Sequence, residues 1–364
     1  MQFVMIGCLG EILYGKEENT KCKMASTTKI MTSIIVMENI DDIEEKVKVS
    51  SNAARIGGSR LGLHTNDEIT IRDLLYGLLL CSGNDAAISL AEHVAGGVSE
   101  FADLMNNKAR ELGLKNTHFV TPHGLDDDEH YTTAYELAII TDYALKIEEI
   151  ENIVKTKTYI IRINGKNKSI NNTNELLGYL QGVYGVKTGF TNGANRCLVT
   201  SVKRGDMNII CVVLGADTKK DRGRDSIKII EYTFSSYQMI DIGFMIHDTF
   251  DNLCNITEFD IYKGTNNDLR IKLENNDVTL YPVFKDDIKD IRIETEIKKE
   301  LIAPIKKDDI IGKISVKIDD TIIYDFNIYA NNSIRKKGVL DYYIDFLKNA
   351  SNWWNVTLSL STAI

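Results

Sequence analysis

The chain has 364 residues, 43% of them hydrophobic and 26% charged, an ordinary globular composition with room for two domains. Its net charge of −9 disfavours a general nucleic-acid binder, which is normally basic. Three prolines leave no material for a long Pro-rich linker, and no run of about 20 apolar residues offers a transmembrane helix. The six cysteines (Cys8, Cys22, Cys81, Cys197, Cys211, Cys254) form no CxxC pair, so no zinc knuckle or thioredoxin-like motif is expected. They read as mostly free, buried, small apolar residues.

In chain order, the segment from Met1 to Ile6 has no basic n-region and no full h-region, so it is not an intact secretory signal. Residues 3–14 alternate loosely around Gly10 and predict a strand with a turn. A helix is expected from 26 to about 39, apolar at Ile30, Met31, Ile34, Ile35 and Met37. Residues 45–70 read as loop and short strand, carrying Gly57-Gly58-Ser59. Thr70 and Asp73 form the start of a capping box for a helix whose apolar face is Leu74, Leu75, Leu78 and Leu79. That helix ends at Ser82-Gly83-Asn84. The next begins at once and stops at Gly96-Gly97; a third covers 99–112. Thr133 and Glu136 make a second capping box.

After about residue 156 the pattern turns to strands at 159–163, 183–188, 197–202 and 209–214, closed by a helical stretch at about 224–238. Strands on both sides of a helical block are too few to stand alone, so they are expected to meet in one sheet. Residues 245–330 hold closely spaced short strands and predict a small all-β, sandwich-like domain. Residues 338–354 return to a helical period, with Val339, Tyr342, Tyr343, Phe346 and Leu347 on one face and Trp353 and Trp354 after it. The fold class is α+β, with expected boundaries at 1–240, 245–333 and 337–364.

Three short motifs lie at element boundaries. Ser26 and Lys29 put a hydroxyl and an amine on one face of a first helical turn. A serine there can attack a carbonyl if the lysine takes its proton, and the lysine can do so only when neutral. Burial and a second cation, for which Lys187 is the candidate, both favour neutrality. An isolated SxxK reads better as a cap with a surface lysine, and Ser333-Ile-Arg-Lys336 repeats the spacing without opening such a helix. Ser82-Gly83-Asn84 lets the chain reverse and exposes two polar side chains, Ser82 able to relay a proton and Asn84 to meet a carbonyl. Alone, it is equally a helix–helix turn with Asn84 as N-cap. Lys187-Thr188-Gly189 ends a strand whose edge can pair with an extended peptide. Gly189 removes a side chain where a substrate lies flat, and Lys187 and Thr188 can hold a carboxylate. Alone, it is a β-turn with a solvated lysine. The order and placement of all three decide for a site.

Together with TPHGLDDDEHYTTAYELA at 121–138, the segments MASTTKIMTS, LLLCSGNDAA and GVKTGFT resemble the bacterial D-alanyl-D-alanine carboxypeptidases, low-molecular-mass penicillin-binding serine peptidases. The resemblance spans about 5–335 and includes the β domain and the amphipathic helix. It implies a β-lactamase/transpeptidase-like first domain, an antiparallel sheet with a helical block. It implies Ser26 as acyl-enzyme nucleophile, Lys29 as general base, Ser82 as proton shuttle and Asn84 as holder of the substrate backbone. Lys187 and Thr188 would bind the terminal carboxylate, and the backbone N–H groups of Ser26 and Phe190 would form the oxyanion hole. Arg222 matches a further carboxylate-binding arginine, with Arg224 close enough to compete.

The implied reaction is removal of the terminal D-alanine from peptidoglycan stem peptides, with β-lactams as acylating inhibitors and no metal or organic cofactor. The implied location is extracytoplasmic, at the membrane surface through the C-terminal helix, behind Lys336 and Lys337. The β domain would be a spacer or partner surface. The chain begins inside the family's first strand, as if truncated or processed. No Glu-x-x-Leu-Asn segment lies between Ser82 and Lys187, so β-lactamase activity is the weaker reading. Endopeptidase or transpeptidase chemistry on the same residues, and a catalytically idle wall-binding module, are the competing readings. A metal site at His118, His123 and His130 with Asp126, Asp127 and Asp128 competes poorly, lacking HExxH. Cys81, beside Ser82, is near the expected chemistry, though helix packing explains it better.

Overall fold

The first strands form a hairpin: β1 (Gln2–Ile6) pairs antiparallel with β2 (Ile12–Lys16). In the computed structural model, residues 1–6, 10–275, 279–348 and 350 are described, and the chain divides into a unit from Met1 to Tyr237 and a second from Gln238. Cys8, Trp353 and Trp354 lie outside the described residues.

A 3-10 turn, Ala25–Thr28, leads into α1 (Lys29–Asn39), so Ser26 stands on a tighter turn than the expected continuous α-helix. Then come β3 (Lys46–Lys48), α2 (Ser51–Arg55) and β4 (Glu68–Thr70). The helix α3 (Ile71–Leu79) starts as its cap predicts, with Asp73 N donating to Thr70 Oγ1 at 3.1 Å. Between α3 and α4 (Asn84–Ala95) the N-cap position belongs to Gly83, so the side chain of Asn84 is spared for other work. Gly96, at φ 80°, ends α4, and α5 (Val98–Glu111) follows. At α6 (Ala134–Leu145) only half of the capping box forms. Glu136 N donates to Thr133 Oγ1, but the Glu136 carboxylate turns to Lys115 N and Asn116 N, each at 2.9 Å.

The helix at 148–155 and the strand at 166–171 escape the sequence pattern. Helix α7 (Glu148–Lys155) buries Ile150, Ile153 and Val154. Strands β5 (Thr158–Ile163) and β6 (Lys166–Asn171) pair as a hairpin, although β6 buries Ile170 alone. Pairing, not alternation, makes β6 a strand. Strands β7 (Val183–Thr191), β8 (Asn195–Arg204) and β9 (Met207–Ala216) complete an antiparallel sheet in the order β2-β1-β9-β8-β7. The sheet thus joins the two ends of the unit, and β7 is an edge. Helix α6 packs on β9 and β1, and α8 (Lys219–Ser236) packs on β8 and β9.

Strand β10 (Tyr237–Asp241) begins on the last residue of the first unit and runs into the second, where α9 (Ile242–Ile256) follows. The helix falls where the sequence pattern predicts strands alone. Asp241 caps it, accepting from Phe244 N at 2.8 Å, and Ile242, Ile246 and Leu253 bury against Ile314, Val316, Phe326 and Ile328. Next come β11 (Asp260–Tyr262), β12 (Ile271–Leu273), β13 (Leu280–Phe284), β14 (Ile291–Ile297), β15 (Glu300–Ile302), β16 (Ile310–Ile318) and β17 (Thr321–Ala330). The main sheet runs β12-β17-β16-β14, with smaller pairs β11-β15 and β10-β13. Residues 339–348 are helical and leave Val339, Leu340, Tyr343 and Phe346 exposed. No helix among the described residues is long and apolar enough to cross a membrane.

Candidate active site

The site is built around the turn that carries Ser26. Ala25 takes a left-handed φ of 50°, which presents the half-buried Ser26 at the mouth of the turn. Thr28 Oγ1 donates to Ala25 O at 2.8 Å and lies 2.8 Å from His130 Nε2. His130 Nδ1 accepts from Val120 N at 2.9 Å, and burial pulls the ring down to a pKa of about 4. The neutral ring therefore carries its proton on Nε2 and donates it to Thr28. Gly124, at φ 82°, lies against this turn. A Cβ there would come within 2.6 Å of the Ala25 carbonyl carbon and 2.5 Å of Thr28 Oγ1. Thr32 Oγ1 donates to Pro122 O at 2.6 Å, so the 122–124 loop is fastened to α1 as well.

Lys29 is fully buried. Its Nζ lies 2.9 Å from Ser26 Oγ and donates to Asn84 Oδ1 at 2.8 Å and His123 O at 2.7 Å. Both of those carbonyls can only accept. In the neutral amine the two N–H bonds are thereby pinned, and the lone pair is left facing the Ser26 hydroxyl. The Asn84 amide is oriented in turn, because its Nδ2 donates to Gly57 O at 2.8 Å. Burial is the main force holding Lys29 well below the usual lysine range, and the nearby charge of Lys187 pushes the same way. Asp85 opposes both. It is buried, and its carboxylate accepts from Leu61 N, Gly62 N and Leu63 N at 2.8, 2.8 and 3.0 Å, fixing the 57–63 loop over the site.

Ser82 is buried at φ 65°, in the left-handed region, and with Gly83 makes the reversal between α3 and α4. Cys81 beside it sits in the field of Lys187, and burial pushes its thiol up. On β7, Lys187 is 1% exposed and its Nζ donates to Thr188 O at 3.0 Å. Burial, reinforced by the Arg222 charge, lowers Lys187 to about 7. Thr188 Oγ1 lies 2.7 Å from Thr173 Oγ1, which donates to Leu80 O at 3.1 Å. Gly189 answers a need nearer than the substrate. A Cβ there would be 3.0 Å from Met24 O and 3.2 Å from Ala25 Cβ, so its bareness lets β7 press on the turn that carries Ser26. Phe190 is exposed, with the Arg196 guanidinium 3.5 Å above its ring. The turn beyond it is held by Asp126, which accepts from Thr191 Oγ1 at 2.6 Å and Gly193 N at 2.9 Å.

Arg222 is buried at the start of α8, and Arg224 is exposed and paired with Asp221 at 2.8 Å. Of the two, Arg222 is the one whose charge reaches Lys187. Arg222 also has a close partner: its Nη2 donates to Glu175 Oε1 and Oε2 at 2.5 and 2.6 Å. The histidines of the 118–130 loop commit ring nitrogens to the protein itself. His118 Nδ1 meets Glu129 O at 2.6 Å, and His123 Nδ1 accepts from Leu125 N at 3.1 Å.

Lys29 is thus in direct hydrogen-bonding contact with both Ser26 and Asn84, and Lys187, with Thr188 and Gly189 next to it, is close enough to act on Lys29 electrostatically. The three motifs do not by themselves assign the supporting parts played by the His123 and Gly57 carbonyls, Asp126, His130 and Asp85. The first two act through the backbone, which carries no residue signature. Asp85 follows directly on Ser82-Gly83-Asn84, a fourth letter legible in the same motif.

A mixed helix–sheet unit that sets a serine beside a buried lysine has the parts a serine acyl-transfer enzyme needs, and a β domain follows it. Residues 3–218 match the family described as D-alanyl-D-alanine carboxypeptidase, and 254–336 match the penicillin-binding protein 5 C-terminal domain. The chain belongs to the D-alanyl-D-alanine carboxypeptidase family of serine peptidases. It is 42% identical over 234 residues to D-alanyl-D-alanine carboxypeptidase DacF of Bacillus subtilis, a match covering 63% of this chain and spanning 60% of the length of DacF. It is 30% identical over 348 residues to DacA of Haemophilus influenzae, covering 93% of this chain and 86% of DacA. Penicillin-binding protein 5 from Haemophilus influenzae superposes with a TM-score of 0.76 at 29% identity, covering 92% of this chain and 97% of that one.

Proposed function

We propose that this chain is a serine D-Ala-D-Ala carboxypeptidase that removes the terminal D-alanine of peptidoglycan stem peptides. The observation that carries this reading is Lys29, buried, with two contacts to carbonyl acceptors and the third to Ser26 Oγ. As Ser26 Oγ attacks the penultimate D-alanine carbonyl, its proton passes to the Lys29 lone pair. The oxyanion is met by the N–H groups of Ser26 and Phe190. When the tetrahedral intermediate collapses, the D-alanine nitrogen takes a proton relayed through Ser82 and leaves. Water then attacks the ester, with Lys29 accepting its proton, and frees Ser26. Asn84 steers the substrate backbone as well as Lys29. Lys187, Thr188 and Arg222 receive the terminal carboxylate, and the open edge of β7 pairs with the peptide.

A β-lactam offers the same carbonyl and carboxylate and acylates Ser26. The exposed apolar face of residues 339–348 supports association with a membrane interface on the extracytoplasmic side. Lys336 would favour anionic headgroups there, while Lys337 is paired with Asp345 at 2.8 Å. The β domain serves as the spacer.

The test is intact-mass spectrometry after benzylpenicillin, followed by peptide mapping. One adduct on Ser26, absent from Ser26→Ala, is expected. An unmodified wild-type protein, or an adduct elsewhere, overturns the proposal.

A further inference from the structure

Arg222 is 4% exposed and only partly engaged. Its Nη2 is taken by Glu175, its Nη1 donates to Cys197 O at 3.3 Å, and its Nε is buried without a partner among the described residues. A guanidinium carries five N–H donors and suits a planar carboxylate. Here a carboxylate of the chain itself already occupies that position. Glu175 is not a stray surface acid. The neighbouring Asn174 is buried, donates to Gly185 O of β7 at 2.8 Å and accepts from Leu176 N at 3.1 Å. The loop that carries Glu175 is therefore anchored to the strand of Lys187. Gly223 adds no bulk beside the acid: a Cβ there would be 3.7 Å from Glu175 Oε1. The Glu175 side chain is 26% exposed, against 4% for Arg222, so it has solvent to move into.

We infer that Glu175 is a built-in counter-carboxylate for Arg222, which an incoming terminal carboxylate must displace or share. Glu175 thereby sets how strongly the site prefers substrates with a free C-terminus. This rests on the carboxypeptidase reading and deepens it. Removing the negative charge while keeping the shape frees Arg222 for the substrate and removes like-charge repulsion.

The experiment compares an N-acylated tripeptide ending in D-Ala-D-Ala with its C-terminal methyl ester, for wild type, Glu175→Gln and Glu175→Ala. The quantity read is the ratio of kcat/KM for acid over ester. One charge-assisted hydrogen bond exchanged is enough to change it about tenfold. The inference expects the ratio to rise about tenfold in Glu175→Gln and to rise in Glu175→Ala. A residue that only held Arg222 in place would leave the ratio unchanged in Gln and lower it in Ala. A Glu175→Gln ratio that stays level or falls overturns the inference while leaving the carboxypeptidase reading intact. A wild type silent on both substrates overturns that reading and the inference with it.

Discussion

Replacing Gly124 by alanine separates steric support of the nucleophile from ordinary backbone strain. At φ 82° an alanine in the left-handed region costs about 1 kcal/mol. Its Cβ would also sit 2.6 Å from the Ala25 carbonyl carbon. Two carbons need roughly 3.5 Å, so the turn and the loop must part by at least about 0.9 Å, and the Ala25 carbonyl oxygen, nearer still to the built Cβ, asks for more. Ser26 follows Ala25 directly, and His123, whose carbonyl holds Lys29, precedes Gly124. A misplacement of that size at reacting groups costs on the order of 100-fold in rate. Gly113 is the control, since it has φ 74° and open space around a built Cβ. Gly113→Ala should melt lower by about 2–4 °C from strain alone and Gly124→Ala by more because of the overlap, while acylation by a fluorescent penicillin falls about 100-fold in Gly124→Ala only. If Gly124→Ala acylated within about threefold of Gly113→Ala, Gly124 would not be a buttress of the nucleophile turn.

Three further outcomes are expected. Lys187, lowered to about 7, is charged below that pH and neutral above it, so KM for free-carboxylate peptides should rise as pH climbs through about 7. Methyl esters should show no such rise, and matching pH profiles for acid and ester would contradict the carboxylate role. In Asn84→Asp an anion would face Lys29 Nζ and raise its pKa. Acylation at pH 7 should then drop at least about tenfold and recover as pH is raised, a tenfold change for each unit of pKa; a wild-type rate at pH 7 would refute it. Asp126→Ala frees Thr191 and Gly193 N at the turn after Phe190. It should slow acylation about tenfold by loosening Phe190 N–H, the proposed oxyanion donor, with a small change in melting temperature; unaltered acylation would show that the turn holds itself.

The catalytic spacing is legible because helices and strands have fixed periods. Ser26 and Lys29 are three residues apart on one turn, and the Thr70 and Thr133 caps mark where α3 and α6 begin. What stays hidden is of three physical kinds. Backbone groups such as Gly57 O and His123 O orient Lys29 through Asn84 or directly, and any residue supplies a carbonyl. Tertiary pairing makes β6 from a polar run, and α9 is masked because its buried positions, Ile242, Ile246 and Leu253, border a region of alternating strands. The Gly189 position is legible but its reason is not, since the close neighbour proves to be the turn that carries Ser26. Glu175 stands in a stretch without periodicity, and nothing local ties it to Arg222, 47 residues on.

Among the described residues, strand β7 has β8 as its single neighbour in the sheet. A strand rim of this kind is a template for another copy of the protein as well as for a stem peptide, although Asn174 and Lys187 already occupy its Gly185 and Thr188 carbonyls. Crowded, ligand-free preparations should accordingly self-associate more readily than penicillin-loaded ones, so a storage buffer for this protein is best judged with the acyl group in place.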